Sequence, residues 1–355
     1  MKKLIFSAIC HTTTPAGAGV AAPKSRRKGV AGWDISGTRL HFGRPGWVNA
    51  GKIAYLYGHK HALDMRVTVY GNEFISQYAG QLKRLLDLLT QAGAEVAVEA
   101  GFYGHLSQCP GFAPGSYALA DAGGAPASLA LSVGGDGTFL RAAQMVGDSG
   151  TPILGVNTGH LGYLAAADLS DPERVAQTIL AGGYEIERRT LLRVDTDADS
   201  VEIPSPYALN EVAIMRQDTS LMISMHTWVN GCELTTYRGD GLIISTPTGS
   251  TAYNLSVGGP ILDPASRCIV LSPVSVHSLT MRPLVIDDDS VVRVATTSRA
   301  PRYRISVDGR PVTLPCGAAI TVGKAPFHLN VAKVSGRNFT HTLREKLMWG
   351  IDGGK

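Results

Sequence analysis

No stretch of this 355-residue chain approaches the ~18–20 consecutive apolar residues that carry a helix across a bilayer, so a helical membrane protein is not expected. Its five cysteines, Cys10, Cys109, Cys232, Cys268 and Cys316, are scattered and odd in number. None forms a Cys-x-x-Cys pair, which argues against a zinc site and against a disulfide framework. Idle or buried thiols in a reducing cytoplasm fit better. Charged residues make up only 17% of the chain and aromatics 7%, and there is no internal repeat or low-complexity tract. What remains is a chain with 44% hydrophobic residues, long enough for two domains or one large α/β domain with a substantial core.

The formal charge of +4 is unevenly placed. Residues 1–64 hold ten Lys and Arg against two acids, Asp34 and Asp64, a net of +8, while the rest holds 23 basic and 27 acidic residues, a net of −4. A basic excess confined to the leader gives no reason to expect nucleic acid or a membrane surface as partner of the folded body. The leader is also different in kind. Gly and Pro break it repeatedly, as in PAGAGVAAPKSRRKGVAGW, and it carries no sustained helical or strand period. Lys2-Lys3 followed by LIFSAIC sketches a signal peptide, but seven apolar residues are at the minimum for its core. The better reading makes Met65 the functional start and residues 1–64 a disordered or non-native extension.

From Met65 the texture is that of an α/β domain. Residues 66–70 alternate as a strand, 74–91 repeat at helical spacing, and 95–99 form a second strand. A loop-rich stretch occupies about 104–127. SLALSV (128–133) is an apolar strand that runs into Gly134-Gly135-Asp136-Gly137-Thr138 and a helix, TPILGVN (151–157) is another strand, and DPERVAQTILAG (171–182) carries helix start and stop signals. Strands alternating with helices imply a parallel sheet over residues 65–184. From 185 to 337 nearly every segment favours strand, which predicts an all-β, sandwich-like second domain. Residues 338–355 contain a helix expected to pack back on the first.

The Gly134–Thr138 segment is the most informative point. A buried strand ends, two glycines allow a tight turn, and a helix starts, so backbone N–H groups and the helix dipole offer a phosphate cradle. Asp136 stands at the C-terminal edge of a parallel strand, where open α/β sheets bind ligands. Taken alone, the same residues are equally a Gly-rich turn with Asp as helix cap. No Gly-Lys-[Ser/Thr] follows, so this is not a Walker loop, and the spacing is not that of a Rossmann fingerprint.

The pentapeptide resembles the phosphate loop shared by NAD kinases, diacylglycerol and sphingosine kinases and, more distantly, phosphofructokinases. Three further segments resemble NAD kinases in particular. They are Asn157-Thr158-Gly159-His160-Leu161-Gly162-Tyr163-Leu164, Ala208-Leu209-Asn210-Glu211, and the run from Asp240 through Ser245-Thr246-Pro247-Thr248-Gly249-Ser250-Thr251-Ala252-Tyr253 to Gly258-Gly259-Pro260. The resemblance covers residues 65 to about 350 in the family's order. Independently of it, GLIISTP reads as a strand and PTGST as a turn of small hydroxylated residues that lets a ligand approach the backbone. Tyr253 adds a flat face suited to a purine.

The resemblance implies ATP-dependent phosphorylation of the 2′-hydroxyl on the adenosine ribose of NAD, giving NADP. It makes Asp136 the proton acceptor, with Gly137 beside it on the dinucleotide. Arg141, one turn into the helix, would reach a phosphate, or else be a solvated helix face. Asn210 and Glu211 would hold the adenosine and its ribose, Arg238 and Asp240 the nicotinamide side. Thr251, Ala252, Tyr253, Asn254, Leu255 and Ser256 would enclose adenine and diphosphate. Gly134, Gly135, Gly137 and Thr138 would cradle the phosphates of ATP. Arg310, in SVDGR, would also contact NAD, from a position where family members often carry Gln. Asn157 and His277 are candidate lining residues, though a His before an apolar stretch is as often a core residue. A divalent ion, Mg²⁺, would arrive with the nucleotide, since no dedicated protein cage is visible. The family implies a cytoplasmic homo-oligomer. Two rivals stay open: a lipid or sphingoid-type kinase of the same clan, which leaves the Asp240–Tyr253 run unexplained, and a non-catalytic NAD(P) sensor, for which loss of Asp136 would be the expected mark.

Overall fold

Val67 and Val69 alternate with half-buried neighbours along the first strand, β1 (Arg66–Tyr70), as a strand with one face on a core should. The computed structural model describes residues 65–112, 115, 117–120, 127–159, 162–218, 221–334, 336 and 339–348. The leader, with the signal-peptide reading and the proposed start at Met65 as its boundary, lies outside the described residues. All described residues belong to one compact unit.

After β1 the Asn72 side chain accepts from the Phe74 amide and starts a 3-10 turn (Glu73–Tyr78) that leads into α1 (Ala79–Gln91). Leu82, Leu85, Leu86 and Leu89 of α1 are fully buried at the i, i+3, i+4, i+7 spacing of one helix face. At about 1.5–3 kcal/mol per buried leucine, that stripe contributes roughly 6–12 kcal/mol to docking the helix. Then come β2 (Glu95–Val98), α2 (Ala100–Leu106), the two-residue β3 (Ala118–Leu119) and β4 (Leu129–Val133). Next are α3 (Asp136–Val146), β5 (Ile153–Asn157), β6 (Ala165–Asp168) and α4 (Pro172–Leu180), the last capped by Asp171 with Pro172 in its first turn.

These strands are parallel, in the order β6–β5–β4–β1–β2–β3. β4 is buried along its whole length because both faces are covered. Leu129, Leu131 and Val133 meet α1, α2 and α4 on one side, and Ala130 joins Phe139 and Ala142 of α3 on the other.

The strand-rich half starts with β7 (Tyr184–Thr196), β8 (Tyr207–Ala208), β9 (Glu211–Arg216), β10 (Ile223–Val229), β11 (Cys232–Gly239) and β12 (Gly241–Ser245). A 3-10 turn (Thr248–Thr251) and the one-turn α5 (Tyr253–Ser256) follow. The half closes with β13 (Cys268–Val274), β14 (Leu284–Asp287), β15 (Val292–Ser298), β16 (Arg302–Val307), β17 (Arg310–Pro315) and β18 (Ala319–Val334). An antiparallel sheet ordered β14–β13–β12–β9–β16–β17 shares a core with β7, β10, β15 and β18. Val212, Ile214, Leu242 and Ile244 from the first face Leu192, Val194, Ile223, Val294 and Val322 from the second, which is the sandwich expected from the sequence.

The two halves share a sheet. β18 runs sixteen residues, pairs with β7 along most of its length, and meets β5 in parallel at Val331–Ile153. α6 (Phe339–Leu347) returns to the first half, where Lys346 Nζ donates to the Gly162 carbonyl. No helix among the described residues is long and apolar enough to cross a membrane.

Candidate active site

The end of β4 dictates the first part of the site. Gly134 has φ +147°, outside the range of side-chain-bearing residues, and a Cβ there would lie 2.5 Å from Thr138 Oγ1 and 3.3 Å from Asn72 Nδ2. Those two atoms are bonded to one another at 2.9 Å, so Asn72, from the loop after β1, ties the Gly134–Thr138 turn to the neighbouring strand. Arg141 adds a second tie, donating one of its N–H groups to the Gly71 carbonyl. The first turn of α3 is thus held open at the C-terminal edge of the sheet. The Gly134 amide donates to the Val156 carbonyl (2.9 Å) and the Thr138 amide to the Gly135 carbonyl (3.0 Å), which leaves the amides of Gly135, Asp136 and Gly137 to face a ligand.

Asp136 opens α3 and is half-buried. Its Oδ2 accepts from the Tyr163 amide (2.8 Å) and its Oδ1 from the Leu164 amide (3.0 Å). Gly162 makes the approach possible, because a Cβ on it would stand 2.5 Å from Oδ1. Each carboxylate oxygen has a further lone pair, so the pinned group can still accept a hydroxyl. The Tyr163 phenol is pushed up by burial and by the Asp136 charge, and its hydroxyl is buried without a partner. Asn157, at the end of β5, likewise has a buried Oδ1 that no group satisfies, an orphaned acceptor of the kind that marks a binding surface.

The second cluster gathers on β9 and β12. Asn210 and Glu211 are both 9% exposed. The Asn210 carbonyl accepts from the Thr246 amide (2.9 Å), and Gly249 lies so close that a Cβ would sit 2.1 Å from that same oxygen. Burial, then the Asp308 charge, pushes the Glu211 carboxyl up to about 7, against the lowering effect of the Tyr253 amide that donates to it. Glu211 and the Thr251–Ser256 segment are therefore neighbours. Within that segment Tyr253 is 39% exposed, Ser256 is exposed, and Thr251, Ala252 and Leu255 are half-buried. Asn254 is fully buried: Nδ2 donates to the Ser250 and Pro260 carbonyls and Oδ1 accepts from Ser272. It braces the turn from inside.

Arg238, Asp240 and His277 form a third group. The His277 amide donates to the Arg238 carbonyl, both side chains are exposed, and Asp240 pairs with Arg216 at 3.0 Å. They sit beside the Gly241 end of β12, whereas Asn210 meets its Ser245 end, about 13 Å away at strand rise.

A family model described as the ATP-NAD kinase N-terminal domain matches residues 75–184, and one described as the ATP-NAD kinase C-terminal domain matches residues 209–334. The chain belongs to the ATP-NAD kinase family. It is 41% identical over 288 residues to a NAD kinase of Bacteroides fragilis, an alignment covering 81% of this chain and 99% of that one. It is also 41% identical over 285 residues to a NAD kinase of Porphyromonas gingivalis, covering 80% and 98%. Among solved structures, a NAD kinase from Archaeoglobus fulgidus in complex with ATP is 26% identical with a TM-score of 0.59, covering 79% of this chain and 99% of that one. Yeast NADH kinase complexed with NADH has a TM-score of 0.73 at 24% identity, covering 81% and 89%, and speaks for the fold alone.

Several contacts of this ATP-NAD kinase carry no sequence signal of their own: Asn72 on Thr138, Arg216 on Asp240, and Arg189, whose Nη1 donates to Thr248 Oγ1 (3.1 Å). Arg310 is engaged with Gln144 Oε1 and the Tyr207 carbonyl, each at 2.9 Å, and the cavity it lines measures about 30 Å³, room for one water. His160 and Leu161 lie outside the described residues. The acidic run Asp287–Asp289 brings three carboxylates within 4.8 Å. Lys324 and Arg267 pair with two of them, Asp288 and Asp289, with Lys324 Nζ 2.8 Å from the buried Asp288.

Proposed function

We propose that the chain transfers the γ-phosphoryl group of ATP to the 2′-hydroxyl of the adenosine ribose of NAD, releasing ADP and NADP, with Asp136 as proton acceptor. The observation that carries this reading is the Asp136 carboxylate, pinned by two amides at the first turn of α3 with lone pairs to spare. As the 2′-oxygen bonds to the γ-phosphorus and the bridge to the β-phosphate breaks, the hydroxyl proton passes to an Asp136 oxygen. A carboxylate is a far weaker base than an alkoxide, so the proton leaves late, and orientation of the hydroxyl counts as much as basicity.

The amides and small residues of Gly134–Thr138 suit the phosphates of the donor, with Arg141 beside them. Asn210 and Glu211 suit the adenosine and its ribose, and the exposed ring of Tyr253 suits the purine. Arg238 and Asp240, a strand's length away with His277 alongside, suit the distal half of a dinucleotide. A lipid would not call for so extended a polar track. A divalent ion, Mg²⁺ by expectation, would come in on the triphosphate and screen its charge. In the acidic Asp287–Asp289 run, Asp288 and Asp289 are already engaged by Lys324 and Arg267, so it suits this ion poorly. The free thiols of Cys109, Cys232, Cys268 and Cys316 suit the cytoplasm. Self-association would cover Leu279, which is 89% exposed near His277.

The test offers ATP and Mg²⁺ with NAD, a diacylglycerol or a sphingoid base as separate acceptors. NADP formed with NAD alone is the expected result. Phosphorylation of a lipid instead, or of no acceptor at all, would overturn the reading.

A further inference from the structure

The tip of the β16–β17 hairpin touches the Asn210–Glu211 turn and the helix that bears Asp136. We propose that Asp308, at this tip, is a positioning residue for the acceptor dinucleotide, holding Asn210 and Glu211 in place through their backbone amides. The inference rests on the reading that Asn210 and Glu211 bind NAD.

Asp308 and Gly309 form a two-residue turn with φ +45° and +80°, the geometry of a type I′ hairpin. Such a turn accepts Asn as readily as Asp, so turn chemistry alone gives no reason for a half-buried carboxylate, which is costly to desolvate. The carboxylate has another use. Oδ2 accepts from the Leu209 amide (2.7 Å), and Oδ1 accepts from both the Asn210 amide (2.8 Å) and the Glu211 amide (3.1 Å). The Asp308 amide in turn donates to the Glu211 carbonyl (3.1 Å). Three consecutive amides converge on one carboxylate, a nest that only a group with two acceptor oxygens can fill.

Two residues on, Arg310 extends the clasp. Nη1 reaches Gln144, on the same helix as Asp136 and two turns beyond it, and Nη2 reaches the Tyr207 carbonyl just before the turn. The hairpin tip thereby fixes the Asn210–Glu211 backbone against α3. Asp308 differs from a general stabiliser in the locality of its effect. Its loss should free three amides and the two side chains they carry, while β4, β5 and the Gly134–Thr138 turn keep their own bonds.

The experiment compares wild type with Asp308→Asn and Asp308→Ala. Asn keeps the turn and one acceptor oxygen but sets an NH2 group against an amide, so it is the milder change; Ala removes both acceptor oxygens and fits the turn's φ of +45° less well. KM for NAD is expected to rise about tenfold in Asp308→Asn and further in Asp308→Ala, with KM for ATP within about twofold of wild type. Hydrogen exchange without substrate is expected to accelerate about tenfold or more at the amides of 209–211 and to stay unchanged in β4 and β5. Unchanged protection at 209–211 in folded Asp308→Asn would overturn the proposal. So would a rise in both KM values together with loosening across all of β9, β12 and β16, which marks a merely structural residue. The exchange readout needs no turnover, so a wild-type protein that made no NADP would refute the proposed function and still leave this inference to stand or fall on the amides.

Discussion

Replacing Glu211 with Gln should make the protein more stable at pH 8 while weakening its hold on NAD. Glu211 is 9% exposed, close to the Asp308 carboxylate, and one of its oxygens has no partner. Its carboxyl titrates near 7 in the folded state against 4.5 for an unperturbed Glu. For an acid whose folded value is raised, the stabilising contribution is full below the unfolded value. It is then lost as pH climbs through the folded one, because the unfolded chain gives up its proton first. Two to three units at about 1.4 kcal/mol each make this loss about 3 kcal/mol between pH 4.5 and 7.5. Gln keeps the shape, carries no proton to lose and removes the repulsion with Asp308. Denaturant titration of both proteins at pH 5 and pH 8 isolates the effect, since titrating groups that do not interact with Glu211 cancel in the difference. The stability gap should move by about 2.5 kcal/mol in favour of Gln between these two pH values, equivalent to roughly 4 °C in Tm for a folded body of this size. A gap that does not change with pH would refute the assignment of a protonated, desolvated Glu211.

Gly162→Ala should lower kcat about tenfold or more with little change in stability, because its Cβ would stand 2.5 Å from Asp136 Oδ1 and push the carboxylate aside; undiminished turnover would show that the position of Asp136 is not critical. Tyr253→Ala should weaken NAD binding by roughly 1–3 kcal/mol, as lost base stacking does, and barely affect Tm because the ring is 39% exposed. Calorimetric titration with NAD checks this, and an unaltered Kd would remove the ring from the pocket.

Local period and turn chemistry made much of the fold legible. β1 coincides with the strand expected at 66–70, because alternation and β-branched content agree with the burial of Val67 and Val69 there. Two elements were not legible. The stretch from 104 to 127 read as loop, yet α2 extends to Leu106 and β3 adds an edge strand at Ala118–Leu119. α2 rests on a Glu99 cap and a Phe102 wedged against Gly71, neither of which leaves a period. The helix expected over 74–91 starts as a 3-10 turn, tightened by the Asn72 cap. In the site, residues in unbroken motifs were found because a phosphate cradle and a ligand-facing turn need small residues in sequence. Asp308 and Arg216 stand 80 or more residues from Asp136, and Gln144 meets Arg310 across 166 residues; such partners become visible only when the chain is folded. Asn254 shows the converse: it lies inside the most specific motif, yet its side chain holds Ser250, Pro260 and Ser272.

The central claim is that Asp136 takes the proton of the hydroxyl that attacks ATP. Asp136→Asn keeps the size of the side chain and one acceptor oxygen, so NAD should still bind. Steady-state rates of NADP formation for wild type and Asp136→Asn, with NAD affinity measured on both, test the claim most directly. The expected result is a kcat lower by about two orders of magnitude or more with little change in NAD affinity; a variant that binds NAD and keeps most of its turnover would contradict it.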